Sequence, residues 1–255
     1  MKIALVTGAS SGLGRAFVRQ LARESGLDQI WMVARRRERM EELAAELSIP
    51  ARVFALDLLR QEDIASLSRA LAEEEPTVSI LINCAGFGKI GKCADLTLQE
   101  TDDMIDLNCR AAVALTTLCL PRMQRGGRIL QVASTAAFQP LPGMGVYAAT
   151  KAFLLRYTRA LRWEVAGRGI RVTALCPGWI DTEFIAVARD SKNGWAVNHI
   201  PFRAKPSEVA AAALRGNRLG LAVVTPGVFS TVQRIGTKLL PACLVMAAWE
   251  GLRRL

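Results

Sequence analysis

Histidine is almost missing from this 255-residue chain: His199 stands alone and is expected to be structural or surface-exposed, not catalytic. The six cysteines are scattered, with no C-x-x-C pair. One imidazole and no paired thiols give no metal site and no disulfide framework to expect, only reduced thiols. No repeat, low-complexity tract or Gly/Ser/Pro-rich linker divides the chain, so residues 1–255 are read as one domain of a length that suits a large α/β fold. The chain starts as a strand and glycine loop, not a signal peptide, and the apolar stretch near its other end is too short to cross a membrane. A cytoplasmic protein is the expectation. The net charge is +10, yet no aromatic platform is interleaved with the basic residues, so no nucleic-acid partner is expected. The surplus reads as a solvated basic surface, with Arg35-Arg36-Arg37 as the exception.

What is present begins with Tyr147-Ala148-Ala149-Thr150-Lys151, with Ser134 thirteen residues upstream. Positions i and i+4 share one helix face, so phenol and ammonium can share one site. A tyrosine with an ordinary pKa of about 10 is a poor acid–base group near neutrality. A fixed cation beside it would favour the phenolate and lower that pKa, and a serine hydroxyl nearby could hold a substrate oxygen. Taken alone, the pair reads as a half-buried tyrosine and its solvated neighbour, since such short patterns arise often by chance.

The other signal lies at the N-terminus. The apolar run Lys2-Ile3-Ala4-Leu5-Val6-Thr7 predicts a buried strand, and a helical pattern begins at Arg15. Between them lies Gly8-Ala9-Ser10-Ser11-Gly12-Leu13-Gly14, which is neither the G-x-G-x-x-G fingerprint nor a Walker loop. Strand, glycine turn and helix bring a pyrophosphate onto a helix N-terminus, although a plain tight turn would read the same. Further strands are predicted at 29–34, 52–56, 78–83, 128–133, 170–175 and 221–224, with helices at 38–47, 61–73, 98–123, 147–166 and 207–215. This alternation predicts an α/β fold: a single doubly wound Rossmann domain with a seven-stranded parallel sheet and helices on both faces. The singled-out polar residues then fall at the carboxyl ends of strands, where such sheets bind ligands.

In order, Thr7 to Gly14, Asp57, Asn83-Cys84-Ala85-Gly86, Asn108, Ser134, Tyr147 with Lys151, and Pro177-Gly178 with Thr182 make the chain resemble the short-chain dehydrogenase/reductase family from Lys2 to about Val224. The resemblance implies reversible hydride transfer between a nicotinamide and a carbonyl or secondary alcohol. It implies Asn108, Ser134, Tyr147 and Lys151 as the catalytic residues. Tyr147 would exchange the proton, Ser134 would hold the oxygen, and Lys151 would also hold the nicotinamide ribose. Asn108 would support a water linking Lys151 to solvent. It implies a cofactor site of Gly8, Ser10, Ser11, Gly12, Leu13 and Gly14 at the pyrophosphate, with Asp57 and Leu58 at the adenine. Asn83, Ala85 and Gly86 would lie along the adenosine ribose, and Pro177, Gly178, Ile180 and Thr182 beside the nicotinamide. Cys84 stands where the family commonly has a second asparagine and is expected to be a buried small residue. An NAD site usually has an acid after the second strand, to bind the ribose 2′-hydroxyl. Here Arg35-Arg36-Arg37 follows Ala34 with no acid before Glu38, so the expected cofactor is NADP(H). Arg35 is the first candidate for the 2′-phosphate, Arg36 the second, and Arg15 could assist.

The family places substrate specificity after Pro177-Gly178. Here that segment, about 181–205, carries Phe184, Ile185, Val187, Trp195, Val197, Ile200 and Phe202, the makings of an apolar lid. Gln139 and Met144, together with Phe138 and Leu141, would form the facing wall. Ser134, Gln139, Met144, Tyr147 and Phe184 are thus the expected substrate contacts. The expected substrate is a hydrophobic small molecule: a steroid, a bile acid or a fatty acyl derivative. A looser resemblance to hydroxysteroid and long-chain ketone reductases points the same way. A 3-oxoacyl thioester reductase is the alternative enzyme, and a non-catalytic NADP(H)-binding sensor the alternative of another class. The apolar segment 226–255 could pack over the pocket, join subunits of a homo-oligomer (dimer or tetramer), or touch a membrane peripherally. Packing or oligomerisation is favoured over membrane contact.

Overall fold

In this computed structural model, residues 1–197 and 203–253 are described; His199, Ile200 and Phe202 of the lid and Arg254 of the tail lie outside them. Seven parallel strands form one sheet in the order β3-β2-β1-β4-β5-β6-β7. They are β1 (Lys2–Thr7), β2 (Gln29–Ala34), β3 (Ala51–Ala55), β4 (Thr77–Asn83), β5 (Arg128–Val132), β6 (Arg171–Leu175) and β7 (Val223–Val224). The doubly wound α/β architecture expected from the alternation is the one the chain adopts. Successive strand residues point to opposite faces, and both faces are apolar. Ala4, Val6, Ile30, Met32, Ile80 and Ile82 pack on one side; Ile3, Leu5, Trp31, Val33, Leu81 and Ile129 pack on the other.

Helices α1 (Gly12–Leu21), α2 (Arg37–Ala45) and α3 (Gln61–Glu74) alternate with the first strands. The helix predicted at 98–123 is not uniform. It comprises α4 (Leu98–Ile105), a π-turn (Asp106–Ala111), α5 (Ala112–Cys119) and a short 3-10 turn. A capping box starts it: Thr97 Oγ1 accepts from the Glu100 amide at 3.2 Å, and Glu100 Oε2 accepts from the Thr97 amide at 2.9 Å. The π-turn carries no signature in apolar periodicity and could not be read beforehand; such bulges often mark functional positions. This run is long and apolar enough to cross a membrane by length and composition, but Ala111, Leu115 and Cys119 pack into the sheet core.

The remaining helices are α6 (Gly145–Glu164), α7 (Phe184–Arg189), α8 (Pro206–Arg218), α9 (Val228–Leu239) and α10 (Ala242–Leu252). The last strand starts two residues later than expected. Gly220 takes φ +71° and its amide bonds Asn217 O, while the Leu221 amide bonds Gly216 O, closing α8 in a Schellman motif. Leu221 therefore belongs to the helix cap and is unavailable to the strand.

The order reverses at β1, which has β2 on one side and β4 on the other. That switch point opens a crevice at the strands' carboxyl ends. Thr7 closes its floor: one hydroxyl, Oγ1, accepts from the amides of Cys84 and Ala85, both at 2.9 Å, pinning the exit of β4 to the end of β1.

Candidate active site

The glycine loop sits at the crevice. Gly8 and Gly12 hold positive φ of +68° and +49°, which side chains of L-residues rarely adopt. A Cβ on Gly14 would lie 2.1 Å from Gly8 O, so the helix start approaches the turn as closely as only glycine permits. Ser11 takes the N-cap position of α1 without a side-chain cap bond. The backbone amides at this helix start form a ready seat for a pyrophosphate, which fits the dinucleotide implied by the resemblance. Leu13 turns into the core and leaves only its backbone at the loop.

Ser134, Tyr147 and Lys151 come together beyond β5, and all three are buried. Ser134 caps the short 3-10 turn Thr135–Phe138, its Oγ accepting from the Ala136 amide at 3.1 Å. That bond uses a lone pair and leaves the hydroxyl proton free to be donated. Lys151 Nζ donates to Val132 O at 2.9 Å and lies 5.7 Å from the centre of the Tyr147 ring. The ring is held between Gly88, where a Cβ would come within 2.7 Å of Cδ2, and Phe184, whose ring centre is 5.5 Å away. Gly88 was not singled out from sequence, because nothing local marks a glycine that clears space for a distant ring.

The electrostatics differ from the sequence expectation. Burial pushes the Tyr147 phenol up to about 12, against a smaller downward pull from its hydrogen bond with Ser134. Burial also pulls the Lys151 ammonium down to about 8. Both shifts have one cause: desolvation penalises the charged form of each group. With its ammonium turned to the Val132 carbonyl, Lys151 does not hold the phenol down in this arrangement.

A pH-dependence follows from the lysine. Its folded value of about 8 lies below its ordinary 10.5, so between these pH values the unfolded chain binds the extra proton. Stability then rises with pH across that window and is lost as pH falls through about 8. Tyr147, Cys84, Cys119 and Cys176, all raised by burial, lower stability over the same range, so the lysine shows in urea unfolding at pH 7.5 and 10 as a difference between proteins. From pH 7.5 to 10 wild type should gain on the order of 2 kcal/mol relative to Lys151→Met; the same pH response in both proteins would rule out Lys151 as the source.

Asn108 lies in the π-turn. Its Nδ2 donates to Phe87 O at 2.8 Å and Thr150 Oγ1 at 3.0 Å, and its Oδ1 accepts from the Phe87 amide at 3.1 Å. The carboxamide thus ties the β4 exit to α6, the helix that carries Tyr147. Asn83 also turns away from the crevice: its Nδ2 bonds Ala112 O and Thr116 Oγ1, behind the sheet. At the expected ribose position only its backbone, with Ala85 and Gly86, faces the crevice. Asp57 is half-buried, with Oδ1 accepting from the Leu59 amide at 3.1 Å; Leu58 is buried and, like Leu13, has only backbone to offer. Cys84 is half-buried, and burial pushes its thiol up to about 12, so it is an inert small group.

The arginines after β2 are arranged differently from the expectation. Arg35 is exposed. Arg36 turns inward, Nε lying 3.3 Å from Ser10 Oγ and Nη1 2.7 Å from Glu183 Oε2. Arg39 Nη1 meets the other oxygen of Glu183 at 2.5 Å. Arg36 and Arg39 sit three apart at the start of α2 and share a face. Glu183 could not be found this way, since its link to α2 is purely tertiary. Arg15 pairs with Glu46 at 3.1 Å on the outer side of α1.

Beyond β6, Pro177 O accepts from the Thr135 amide at 2.9 Å, which keeps the two strand exits together. A Cβ on Gly178 would lie 2.9 Å from Ser230 Oγ of α9. Ile180 bridges Ala204, anchoring both ends of the lid at one place. Ile185, Ala188 and Val197 of the lid point inward, whereas Val187 and Trp195 face solvent. Met144 packs with Tyr147 and Phe184, while Gln139 lines a groove of about 890 Å³ whose lining does not include Ser134 or Tyr147. Helix α10 forms one wall of that groove through Met246, Glu250 and Arg253. Trp249 Nε1 donates to Pro142 O at 2.9 Å and Arg253 Nη1 to Ala196 O at 2.7 Å, so the tail is fastened to the loop after Ser134 and to the lid.

A buried serine–phenol–ammonium group facing a glycine cradle, at the switch point of a parallel sheet, places the protein among dinucleotide-dependent oxidoreductases that act on CH–OH groups. The chain belongs to the short chain dehydrogenase family, whose model matches residues 2–193. It is 39% identical over 191 residues to sulfoacetaldehyde reductase 2 of Chromohalobacter salexigens, covering 72% of this chain and 75% of that protein. It is 34% identical over 183 residues to an uncharacterised oxidoreductase of Staphylococcus epidermidis, covering 71% of this chain and 79% of that one. Among solved structures it is similar to a short-chain dehydrogenase from Sphingobium yanoikuyae in complex with NADPH, with TM-score 0.80, 28% identity, and 94% and 96% of the two chains covered. It is also similar to the bulky-bulky ketone specific alcohol dehydrogenase of Comamonas testosteroni, with TM-score 0.76, 28% identity, and 94% and 95% covered.

Proposed function

We propose that the protein is an NADP(H)-dependent reductase of bulky apolar ketones, able to run in reverse on the matching secondary alcohols. The observation that carries this reading is the apolar enclosure of Tyr147 by Phe184, Met144 and the lid residues Ala188 and Val197. A site closed by apolar walls around one proton donor and one hydrogen-bond donor selects a hydrophobic substrate with a single reacting oxygen. The NADPH complex of the Sphingobium relative and the substrate named for the Comamonas enzyme support it. A steroid, bile acid or fatty acyl ketone has the required character.

The glycine cradle, the Gly86 and Pro177 backbone, and Arg36 beside Ser10 would hold the dinucleotide, with the amides of the loop on its phosphates. When bound, the nicotinamide supplies or takes up a hydride. The chain's own residues handle the oxygen. Ser134, already fixed by the Ala136 amide, donates a hydrogen bond to the substrate oxygen and stabilises the charge that develops there. Tyr147 transfers its phenolic proton to that oxygen as the C–O bond becomes single. A phenol held near 12 stays protonated at neutral pH, the form needed for reduction. Lys151, anchored on Val132 O 5.7 Å from the centre of the Tyr147 ring, would hold the nicotinamide ribose. Asn108 acts by fixing the β4 exit against α6. Exposed Leu98, Ile105, Phe153 and Trp163 on α4 and α6 support a homo-oligomer; a monomer in size-exclusion chromatography would remove that part of the reading.

The test is NADPH oxidation across steroid, bile acid, acyl and small ketones, with sulfoacetaldehyde included. Bulky apolar ketones should exceed the small polar aldehyde in kcat/KM by about 100-fold, the scale of a few buried methylenes. The opposite order would reject the substrate assignment.

A further inference from the structure

Three consecutive residues of the lid reach three separate parts of the crevice. Thr182 lies against the glycine loop, where a Cβ on Gly12 would come within 2.9 Å of its Cγ2. Glu183 takes one guanidinium on each carboxylate oxygen, Arg36 at 2.7 Å and Arg39 at 2.5 Å. Phe184 covers the Tyr147 ring. Two arginines converging on one anion, with Ser10 Oγ 3.3 Å from Arg36 Nε, make an oxyanion seat at the end of β2. In a doubly wound dinucleotide site that place belongs to the substituent on the adenosine 2′-carbon.

With Arg36 and Arg39 at the place the NADP(H) reading gives to the cofactor's 2′-phosphate, we propose that Glu183 is a built-in competitor for that seat, so that the phosphorylated dinucleotide releases the lid and the unphosphorylated one does not. This rests on the NADP(H) reading. The carboxylate marks where an anion is best held, since both of its oxygens are already matched to guanidinium donors. A phosphate carries more charge and more acceptor oxygens and pairs with arginine in bidentate fashion, so it outcompetes a single carboxylate. The two existing pairs are weak enough to yield, because Arg36, Arg39 and Glu183 are 41%, 43% and 51% exposed and solvent screens them. Once displaced, Glu183 no longer ties the start of α7 to α2. Phe184 follows it in the chain, so release at the adenosine end loosens the cover over Tyr147. A 2′-hydroxyl has no charge with which to displace the carboxylate. The pair of arginines would then discriminate between cofactors twice: by direct contact and by unlatching the lid.

The experiment compares 2′,5′-ADP with 5′-AMP by isothermal titration calorimetry and by hydrogen exchange of residues 184–189, on wild type, Glu183→Gln and Arg39→Met. Wild type should bind 2′,5′-ADP at least tenfold more tightly than 5′-AMP. Glu183→Gln should tighten 2′,5′-ADP about fivefold, as expected when a competing state is removed, and leave 5′-AMP within twofold. Arg39→Met should weaken 2′,5′-ADP about tenfold. In wild type, 2′,5′-ADP should speed exchange at 184–189 and 5′-AMP should not; in Glu183→Gln the exchange should be fast without either. Wild-type preference for 2′,5′-ADP with no change on Glu183→Gln would overturn the latch and leave the cofactor reading standing. Equal binding of both nucleotides by folded wild type would overturn the cofactor reading and the latch with it.

Discussion

Tyr147→Phe should lower kcat for ketone reduction by about 1,000-fold, within the range by which positioned acid–base groups contribute to rate. The substitution removes one oxygen and keeps the ring. Phe184 at 5.5 Å and Gly88 then keep their partner, so the fold around the site stays as it is. NADPH affinity, followed by cofactor fluorescence, should remain within about threefold, because the proposed phosphate and adenosine seats are at the ends of β1, β2 and β4, away from the phenol. Proton delivery should fail because no other acid takes over at that oxygen. Ser134 donates a hydrogen bond but is far too weak an acid to part with its proton, and Lys151 is turned to Val132 O at 2.9 Å. Turnover within tenfold of wild type would remove the phenol from the mechanism.

Gly14→Ala should cost most at the cofactor end. Its Cβ would stand 2.1 Å from Gly8 O, with backbone on both sides of the clash and no flexible side chain to yield. Either α1 backs away from the turn or the loop opens, and both would misplace the amides proposed to seat the phosphates. Overpacking of this kind costs about 1–3 kcal/mol. Thermal unfolding should fall by about 5 °C, given a sensitivity of about 2–4 °C per kcal/mol at this size. NADPH affinity should fall by about 100-fold. Gly167→Ala is the control: a Cβ there meets nothing within 4 Å, and both quantities should be unchanged. A Gly14→Ala protein binding NADPH within threefold of wild type would show that the loop does not seat the dinucleotide.

Much of the site was legible in the chain because its signals are local. The i,i+4 spacing of Tyr147 and Lys151, the glycines after β1 and the alternating strands each depend only on residues near one another in sequence. The arginine after β2 was legible as a charge but not as a particular side chain. Arg35 was the first candidate, yet Arg36 and Arg39 face the crevice, because the first turn of α2 presents positions three apart to the same side. The π-turn under Asn108 and the inward turn of Asn83 left no trace in apolar periodicity. Both follow from what α5 and the β4 exit must satisfy when packed together.

By itself the sequence determined a doubly wound sheet, a tight glycine turn after its first strand and a serine, phenol and ammonium brought to one edge. Those follow from backbone propensity and side-chain period, which act over a few residues. Only the tertiary structure decided how those groups are charged and what covers them. Desolvation moves Tyr147 to about 12 and Lys151 to about 8, and desolvation depends on the distant segments that exclude water. The meeting of Arg36 with Glu183, 147 residues apart, is likewise a property of packed helices. Through-space pairing and burial are set by which remote surfaces close on one another, and no short stretch of sequence contains that information.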